Sequence, residues 1–195
     1  MIAPVILSIN PTAGRKKACA LPFWCQYLGM NDIICIPVRN GFTIVDVEDA
    51  PKATNGNWFI DTKGYVVKSL KDTDGKWKRK WLHREVKQLP DGVITDHKNR
   101  FKFDNTKRNL RPATNGQNRA NACKSKSSKS KFKGVCFNKG ARGQKKWQVA
   151  ITIDGLQIRK HCYTELEAAH EYNALAKQYF GEYALLNDVE NSASN

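Results

Sequence analysis

The sequence predicts an α+β fold built from two consecutive units. An N-terminal β-rich segment leads into a strand–strand–helix (ββα) unit, and a three-stranded antiparallel sheet packed on one α-helix follows. Three observations predict this. Short β-rich runs end at turns that contain glycine or aspartate. A helical pattern closes each set of strands. A lysine- and serine-rich stretch without acidic residues separates the two sets.

The first 29 residues are predicted to be a weakly specified leader. Four residues break any regular element there: Pro4, Pro11, Gly14 and Pro22. Met30 is the second of the two methionines, and we interpret it as an alternative start that would make the leader dispensable. The more regular runs IICIPV and FTIVDV follow it.

A basic hairpin and a helix are predicted next. Gly64–Leu70 and Lys76–Trp81 are β-rich runs joined by the turn Asp72–Gly75, which is typical of a β-hairpin. Aromatic and basic side chains interleave along the second strand. Leu82–Leu89 then shows apolar residues at helical spacing before Pro90 ends the helix.

The ββα core is predicted over about residues 91–122, within a first domain of residues 30–122. It consists of a strand, a polar asparagine-rich loop, a return strand and a short helix, which together are short enough to be one supersecondary unit. The strands are Val93–His97 and Leu110–Thr114, and the helix is Asn115–Ala122.

A flexible basic linker (residues 123–131) precedes a second domain over residues 132–187, and residues 188–195 form a tail. Asp154-Gly155 predicts a tight hairpin turn between the last two strands of this domain. Thr164 and Glu167 form a capping-box pattern at the start of its helix, and Gly181 ends it. The predicted strands are Phe132–Phe137, Lys145–Ile153 and Leu156–Tyr163, and the helix runs to about Phe180.

The charge predicts a polyanionic partner. The chain carries 33 Lys+Arg and 18 Asp+Glu, a formal net charge of +15, and residues 61–195 hold 28 of these bases and 14 of the acids. No segment combines Lys and Arg with the broad apolar face of a helix that lies on a membrane, so nucleic acid is favoured over a lipid surface.

Several other classes of protein are poor interpretations. No run of apolar residues is long enough to span a bilayer, and the basic residues near the N-terminus follow the apolar stretch, which is the wrong order for a secretory signal. The six cysteines form no CxxC pair, so a zinc knuckle is not expected, and a disulfide framework is not expected because no export signal is recognised.

The segment TDHKNRFKFDNTKRNLRPATNGQNRAN carries the most specific pattern. Its DH pair (Asp96, His97), the DN pair at Asp104-Asn105, the NLR triplet at Asn109–Arg111 and the helical Asn118 occur in an order that resembles the HNH endonuclease family of phages and introns. The resemblance covers Trp81–Ala122. It implies a metal-dependent DNA endonuclease with a ββα-metal fold, encoded by a phage and acting in the cytoplasm of a bacterial host cell.

By matching position, the resemblance implies that His97 is the general base and that Asp96 and Asn118 are metal ligands. Asn109 would hold the loop so that His97 points correctly, with Asn105 and His83 in supporting roles. An imidazole titrates near neutral pH, and carboxylate and amide oxygens favour Mg²⁺, with Mn²⁺ as the other ion of this kind. Zinc is not expected, because an asparagine stands where some family members have a histidine.

Each of these residues also has a simpler interpretation. A single surface histidine is usually without a function, and the asparagines suit loops and turns on their own. Only as one ordered set do they favour a catalytic site.

The C-terminal unit resembles the plant ethylene-response-factor (Apetala-type) DNA-binding domain over Ser130–Asn187. The FKGV start at Phe132, Trp147 in the second strand and the EAAxxYN pattern from Glu167 carry this resemblance. It implies that the sheet enters the major groove of double-stranded DNA. Alternation along the strands predicts that about half of the candidates share the DNA face. The candidates are Lys133, Lys139, Arg142, Lys145, Lys146, Trp147, Arg159 and Lys160.

The sequence therefore predicts a DNA endonuclease targeted by a C-terminal DNA-binding domain, with no membrane or protein partner implied. A catalytically inactive, sequence-specific DNA-binding regulator is the alternative. Both would bind DNA in a salt-dependent manner, but only the nuclease would cut it with a divalent metal. An RNA-binding accessory protein lacks the usual RNA-module signatures and stays open because tryptophans in a basic hairpin can stack on bases.

Overall fold

In a computed structural model, residues 32–125 and 127–190 are described. The predicted leader and most of the tail lie outside them. The described chain is a mixed α/β structure with several small antiparallel sheets. Its strands are β1 (Ile33–Val38), β2 (Gly41–Asp46), β3 (Phe59–Ile60), β4 (Val66–Lys71), β5 (Trp77–Trp81), β6 (Ile94–His97), β7 (Leu110–Ala113), β8 (Val135–Phe137), β9 (Trp147–Ile153) and β10 (Leu156–Cys162). Its α-helices are α1 (Ala50–Thr54), α2 (Leu82–Lys87), α3 (Asn115–Asn121) and α4 (Glu165–Phe180).

One apolar core holds the N-terminal unit together. The hairpin β1–β2 and the sheet β3-β4-β5 both contribute to it. Its fully buried members include Val45, Trp58 and Val66, and α2 adds Leu82 and Val86. Because this core includes residues of α2 and β7, it fixes the helix and strand that surround the site described below.

The basic hairpin and the helix after it agree with the prediction except at their ends. Strands β4 and β5 pair antiparallel, and Gly75 N–H donates to Asp72 O in the turn between them (3.0 Å). Helix α2 ends at Lys87 and not at Leu89, because Gln88 adopts a left-handed conformation (φ 48°) that stops the helix.

Strands β6 and β7 pair antiparallel and α3 follows directly, in the predicted order of strand, strand and helix. Thr114 caps α3: its hydroxyl accepts from Gln117 N–H (3.2 Å), and the Gln117 side chain accepts from Thr114 N–H (2.8 Å). This reciprocal pair stabilises a helix that is only seven residues long.

The C-terminal unit is a three-stranded antiparallel sheet, in the order β10-β9-β8, packed on α4. Thr164 caps α4, although Glu167 accepts from Tyr163 N–H and not from Thr164 N–H. The predicted strand from Phe132 begins only at Val135. Gly134 has φ +71°, and a Cβ there would lie 2.1 Å from the Tyr172 ring, so this close packing bends the chain out of strand geometry.

The two units are in direct contact after α4. Leu185 N–H donates to Ala120 O (3.0 Å), and the Tyr183 hydroxyl donates to Pro112 O (2.9 Å). Lys133 Nζ donates to backbone carbonyls at the C-terminal end of α3, including that of Ala122 (2.6 Å). The domain boundaries remain a prediction, but the units touch. None of the described helices has both the length and the apolar character needed to cross a membrane.

Candidate active site

Asp96 and His97 lie at the end of β6, where the strand meets α3. Both are almost fully buried, with 5% and 4% of their surface exposed. The register of β6 and β7 pairs Asp96 with Arg111 and His97 with Leu110. The strand pair therefore places an arginine directly across from a buried carboxylate.

Asp96 is held on both oxygens by charged or amide donors. Arg111 Nε donates to Oδ2 (2.9 Å), and Asn121 Nδ2 lies 3.0 Å from both Oδ1 and Oδ2. The same Asn121 amide donates to the backbone carbonyl of His97 (2.8 Å). These donors compensate a charge that would otherwise be costly to bury. Asn121 also fixes the end of β6 to α3.

A chain of hydrogen bonds determines which nitrogen of His97 carries the proton. Thr43 Oγ1 donates to the Phe103 carbonyl (2.9 Å), so it accepts from Asn105 Nδ2 (2.9 Å). This orients Asn105 Oδ1 toward His97 Nε2, 3.2 Å away. An amide oxygen only accepts, so Nε2 carries the hydrogen and the neutral ring has its lone pair on Nδ1.

Asn109 holds together the loop that follows His97. Its Nδ2 donates to Asp104 O (2.7 Å), and its Oδ1 accepts from Asn99 N–H (3.0 Å). The Asp104 carboxylate in turn accepts from the Asn99 side chain and from Thr106. These contacts are of the kind that the sequence predicted for Asn109. Asn105, and not Asn109, is the residue that contacts the imidazole.

His83 and Tyr65 form an aromatic wall beside His97. The His83 ring centroid lies 5.2 Å from that of His97 and 5.4 Å from that of Tyr65. Within the described chain, His83 Nδ1 is buried without a hydrogen-bond partner. Burial lowers the pKa of His83 to about 3, and burial also lowers the pKa of His97, opposed by the hydrogen bond that its Nε2 donates to Asn105. Both imidazoles are therefore neutral at pH 7.

The His83 pKa predicts that acid destabilises the fold. The unfolded state binds a proton on His83 below about pH 6.5, whereas the folded state does so only near pH 3, so stability falls as the pH drops through this window. Between pH 7 and pH 5 we expect the loss from His83 to be about 2 kcal/mol. Urea denaturation at several pH values measures this loss.

A His83→Gln variant should show a flatter pH dependence of stability, and His170→Gln, on the exposed surface of α4, should not. Equal slopes for all three proteins would contradict the assignment.

Asn118, predicted as a metal ligand, is half-buried on α3, one turn before Asn121 and on the same face of the helix. Its side chain has no hydrogen bond to any residue that the structure describes. Among the described residues, Asp96 Oδ1 accepts from Asn121 only, so a lone pair remains on that oxygen. A carboxylate and an amide oxygen fit a hard divalent ion such as Mg²⁺. Among the described residues no three His, Cys, Asp or Glu side chains cluster as a metal site; Cys19 and Cys25 lie outside them.

The C-terminal sheet divides the predicted DNA contacts between its two faces. The register pairs Lys160 with Val149 and Cys162 with Trp147, and Val149 and Cys162 are buried against α4. Trp147 and Lys160 therefore lie on the helix face, where Lys160 Nζ contacts Glu171 (2.6 Å). Arg159 lies on the opposite, outer face.

The remaining predicted contacts lie at the edge of that sheet or beneath it. Exposed basic residues occupy the loop between β8 and β9: Lys139, Arg142, Lys145 and Lys146. Lys133 is different, because its ammonium group is directed at the carbonyls that end α3. Burial lowers the pKa of Lys133 to about 8. The outer face and the loop thus hold exposed basic residues of the predicted surface, whereas Lys160, which is also exposed, is paired with Glu171.

Comparison with known proteins identifies the family. Over 159 residues the chain is 30% identical to an uncharacterized HNH endonuclease of Acanthamoeba polyphaga mimivirus. The match covers 78% of each of the two chains. The chain belongs to the HNH endonuclease family. This membership confirms the resemblance carried by the segment around His97. No protein-family model and no solved structure matches the chain.

The comparison supports the HNH resemblance but gives no support to an ethylene-response-factor-type domain, which stays a prediction. The relative is viral, although nothing in its name refers to a phage. A phage origin and a cytoplasmic location in a bacterial host therefore also stay predictions for this HNH endonuclease family member.

Sequence reasoning missed three residues around the pair Asp96–His97: Arg111, Asn121 and Thr43. Two of them left a signal in the sequence. Asn118 and Asn121 are three residues apart in a predicted helix and so share one face, and Arg111 belongs to the NLR triplet on the return strand. Thr43 left none, because its contact with Asn105 spans 62 residues of the chain.

Proposed function

We propose that this HNH endonuclease family member hydrolyses DNA phosphodiester bonds, with His97 as general base and with Asp96 and Asn118 as ligands of a divalent metal ion. The observation that carries the proposal is the hydrogen-bond chain from Thr43 through Asn105 to His97 Nε2. It supports a neutral imidazole whose free lone pair is on Nδ1.

In the proposed reaction, Nδ1 of His97 accepts a proton from a water molecule. The water oxygen attacks phosphorus while the bond from phosphorus to the 3′ oxygen breaks, and this leaves a 5′ phosphate and a 3′ oxygen that takes up a proton. Asn105 keeps the ring in the right tautomer and stabilises the imidazolium that forms, because its Oδ1 accepts from Nε2–H in both states. The low pKa of His97 keeps the base unprotonated before the reaction.

A divalent ion, when bound, would neutralise negative charge on the departing 3′ oxygen. We propose the Oδ1 atom of Asp96 and the amide oxygen of Asn118 as its protein ligands. Arg111 and Asn121 would keep the Asp96 carboxylate oriented, and they leave a lone pair of Oδ1 available.

We further propose that the C-terminal unit targets the nuclease to double-stranded DNA in the manner of an ethylene-response-factor-type domain. Arg159 on the outer face of its sheet and the four basic residues of the β8–β9 loop would supply the contacts. Lysines contact phosphates, and an arginine can also read guanine in the major groove.

A metal-dependence assay tests the proposal. Full-length protein incubated with supercoiled plasmid and Mg²⁺ should nick or linearise it, should do so with Mn²⁺, and should lose all activity in excess chelator, since the ligand set is oxygen-based. An Asp96→Asn variant should bind the plasmid without cutting it. DNA binding without scission under any of these metals would support the inactive regulator instead, and cleavage in chelator would contradict the metal assignment.

A further inference from the structure

The hairpin β4–β5 has two faces, and the strand register assigns each side chain to one of them. Lys71 pairs with Trp77 and Ser69 pairs with Arg79, so these four side chains share one face. Leu70 pairs with Lys78 and Lys68 pairs with Lys80 on the other. We call the first set the Trp77 face (Ser69, Lys71, Trp77, Arg79).

The Trp77 face is exposed, aromatic and basic. Trp77 has 69% of its surface exposed, the highest value among the described tryptophans, and Lys71 Nζ lies 5.4 Å from the centre of its ring. Arg79 has half of its side chain exposed, and its one ion pair with a described residue, Asp61, is long (3.7 Å). Packing within the part of the chain that the structure describes does not explain a large indole left in water beside two cations.

The opposite face is engaged within the protein. Lys68 is buried, with its Nζ donating to Asn55 O (3.0 Å) and stacked over the Trp58 ring. Lys78 and Lys80 pair with Asp72 (3.1 Å) and Glu85 (3.2 Å). The cations of this face therefore have closer partners within the protein than Arg79, although the two faces alternate along the same strands.

The Trp77 face is continuous with the side of the sheet that faces the candidate active site. Val67 shares the face with Ser69 and Lys71, and Tyr65 lies two residues before Val67. The strand pairing extends to Tyr65, because Asp61 N–H donates to Tyr65 O (2.9 Å). The Tyr65 ring contacts the rings of both His83 and His97. Lys102 adds a further positive charge there, 4.2 Å over the Tyr65 ring.

We propose that the Trp77 face binds the DNA duplex that flanks the cleavage site, as a second DNA-contact surface on the nuclease unit itself. This rests on the proposed nuclease function. Arg79 and Lys71 would contact phosphates, and Trp77 would stack on a base or wedge into the groove. Trp77 lies four residues before Trp81, the last residue of β5, about 13 Å along the strand, which is the rise of about four base pairs of a duplex.

The test uses full-length protein carrying His97→Ala in chelator, so that binding is measured without cleavage. The probe is a fluorescently labelled duplex of mixed sequence, titrated at several salt concentrations. Arg79→Gln should weaken binding and reduce the salt slope by about 0.9, because one phosphate contact is lost. Trp77→Ala should weaken binding about fivefold or more, and Trp77→Phe should restore part of the affinity.

The matched control is Lys78→Gln, which removes one charge from the neighbouring position of the same strand but from the opposite face. It should leave both affinity and salt slope unchanged. Because these side chains are exposed, unfolding is not expected, and thermal denaturation verifies this.

Three results would overturn the inference: equal losses for Arg79→Gln and Lys78→Gln, unchanged binding in both Trp77 variants, or a change of oligomeric state in Trp77→Ala without loss of DNA affinity. The last would identify the face as a protein contact. Failure of the proposed function looks different, since the protein with an unaltered hairpin and His97 in place would then fail to cut DNA with Mg²⁺ whether or not it binds the duplex.

Discussion

Replacing His97 with alanine is expected to reduce the rate of DNA cleavage by about 10²–10⁴-fold while leaving DNA affinity unchanged. The imidazole is buried at the end of β6 with its Nε2 held by Asn105, and nothing else nearby offers a neutral base with a fixed tautomer. His83 lies beside it, but its buried Nδ1 has no hydrogen-bond partner among the described residues. Single-turnover cleavage of a plasmid with saturating enzyme measures the rate of the chemical step.

His170→Ala is the matched control for this experiment. It removes the same side chain from the exposed surface of α4, far along the chain from the site, and should cut at the normal rate. Denaturation curves show whether loss of the buried His97 ring lowers stability, and a gel-shift assay in chelator shows whether binding persists. If the His97→Ala and His170→Ala proteins cut DNA equally well, His97 is not the general base.

Replacing Arg111 with methionine is expected to lower the free energy of unfolding by about 3–5 kcal/mol, because it leaves the buried Asp96 carboxylate without its charged partner. Arg111 also donates from Nη1 to the Glu182 carbonyl (3.1 Å) and lies 3.8 Å over the Tyr183 ring. Its loss therefore affects both units. Urea denaturation followed by circular dichroism measures the change.

Two further variants separate the charge from the packing. Arg159→Met removes an exposed arginine from the outer face of the C-terminal sheet and should change stability by less than about 0.5 kcal/mol. Adding Asp96→Asn to Arg111→Met should recover part of the loss, since no charge is then left unpaired. If Arg111→Met is as stable as Arg159→Met, the ion pair with Asp96 does not stabilise the fold.

Local patterns predicted most of the elements of the fold. The turn Asp72–Gly75, the Thr164 cap and the Gly181 stop of α4 depend on residues close in sequence, and all three are found. The errors occur where tertiary contacts decide the backbone. Gly134 leaves the strand because the ring of Tyr172, 38 positions along the chain, occupies the space where a side chain would lie.

The residue types of the candidate site were predictable from the sequence, but the hydrogen bonds between them were not. The sequence drew attention to Asp96, His97 and Asn109, whose residue types suit the reaction. It assigned Asn118 as a metal ligand, which stays a prediction, and it did not predict that Asn121, one helical turn later on the same face, donates to Asp96. The bond between Thr43 and Asn105 joins parts of the chain whose proximity only the fold establishes.

The contact between Arg111 and the segment after α4 limits how such proteins can be recombined. The Asp96 carboxylate, proposed as a metal ligand, accepts a hydrogen bond from Arg111. The same arginine contacts Glu182 and Tyr183. A chimaera joined in the basic stretch near residue 123 would separate Arg111 from these two contacts. A chimaera that carries a new targeting module on this nuclease would therefore need to retain the peptide around Tyr183. The division between nuclease and targeting unit does not coincide with the change in composition along the sequence.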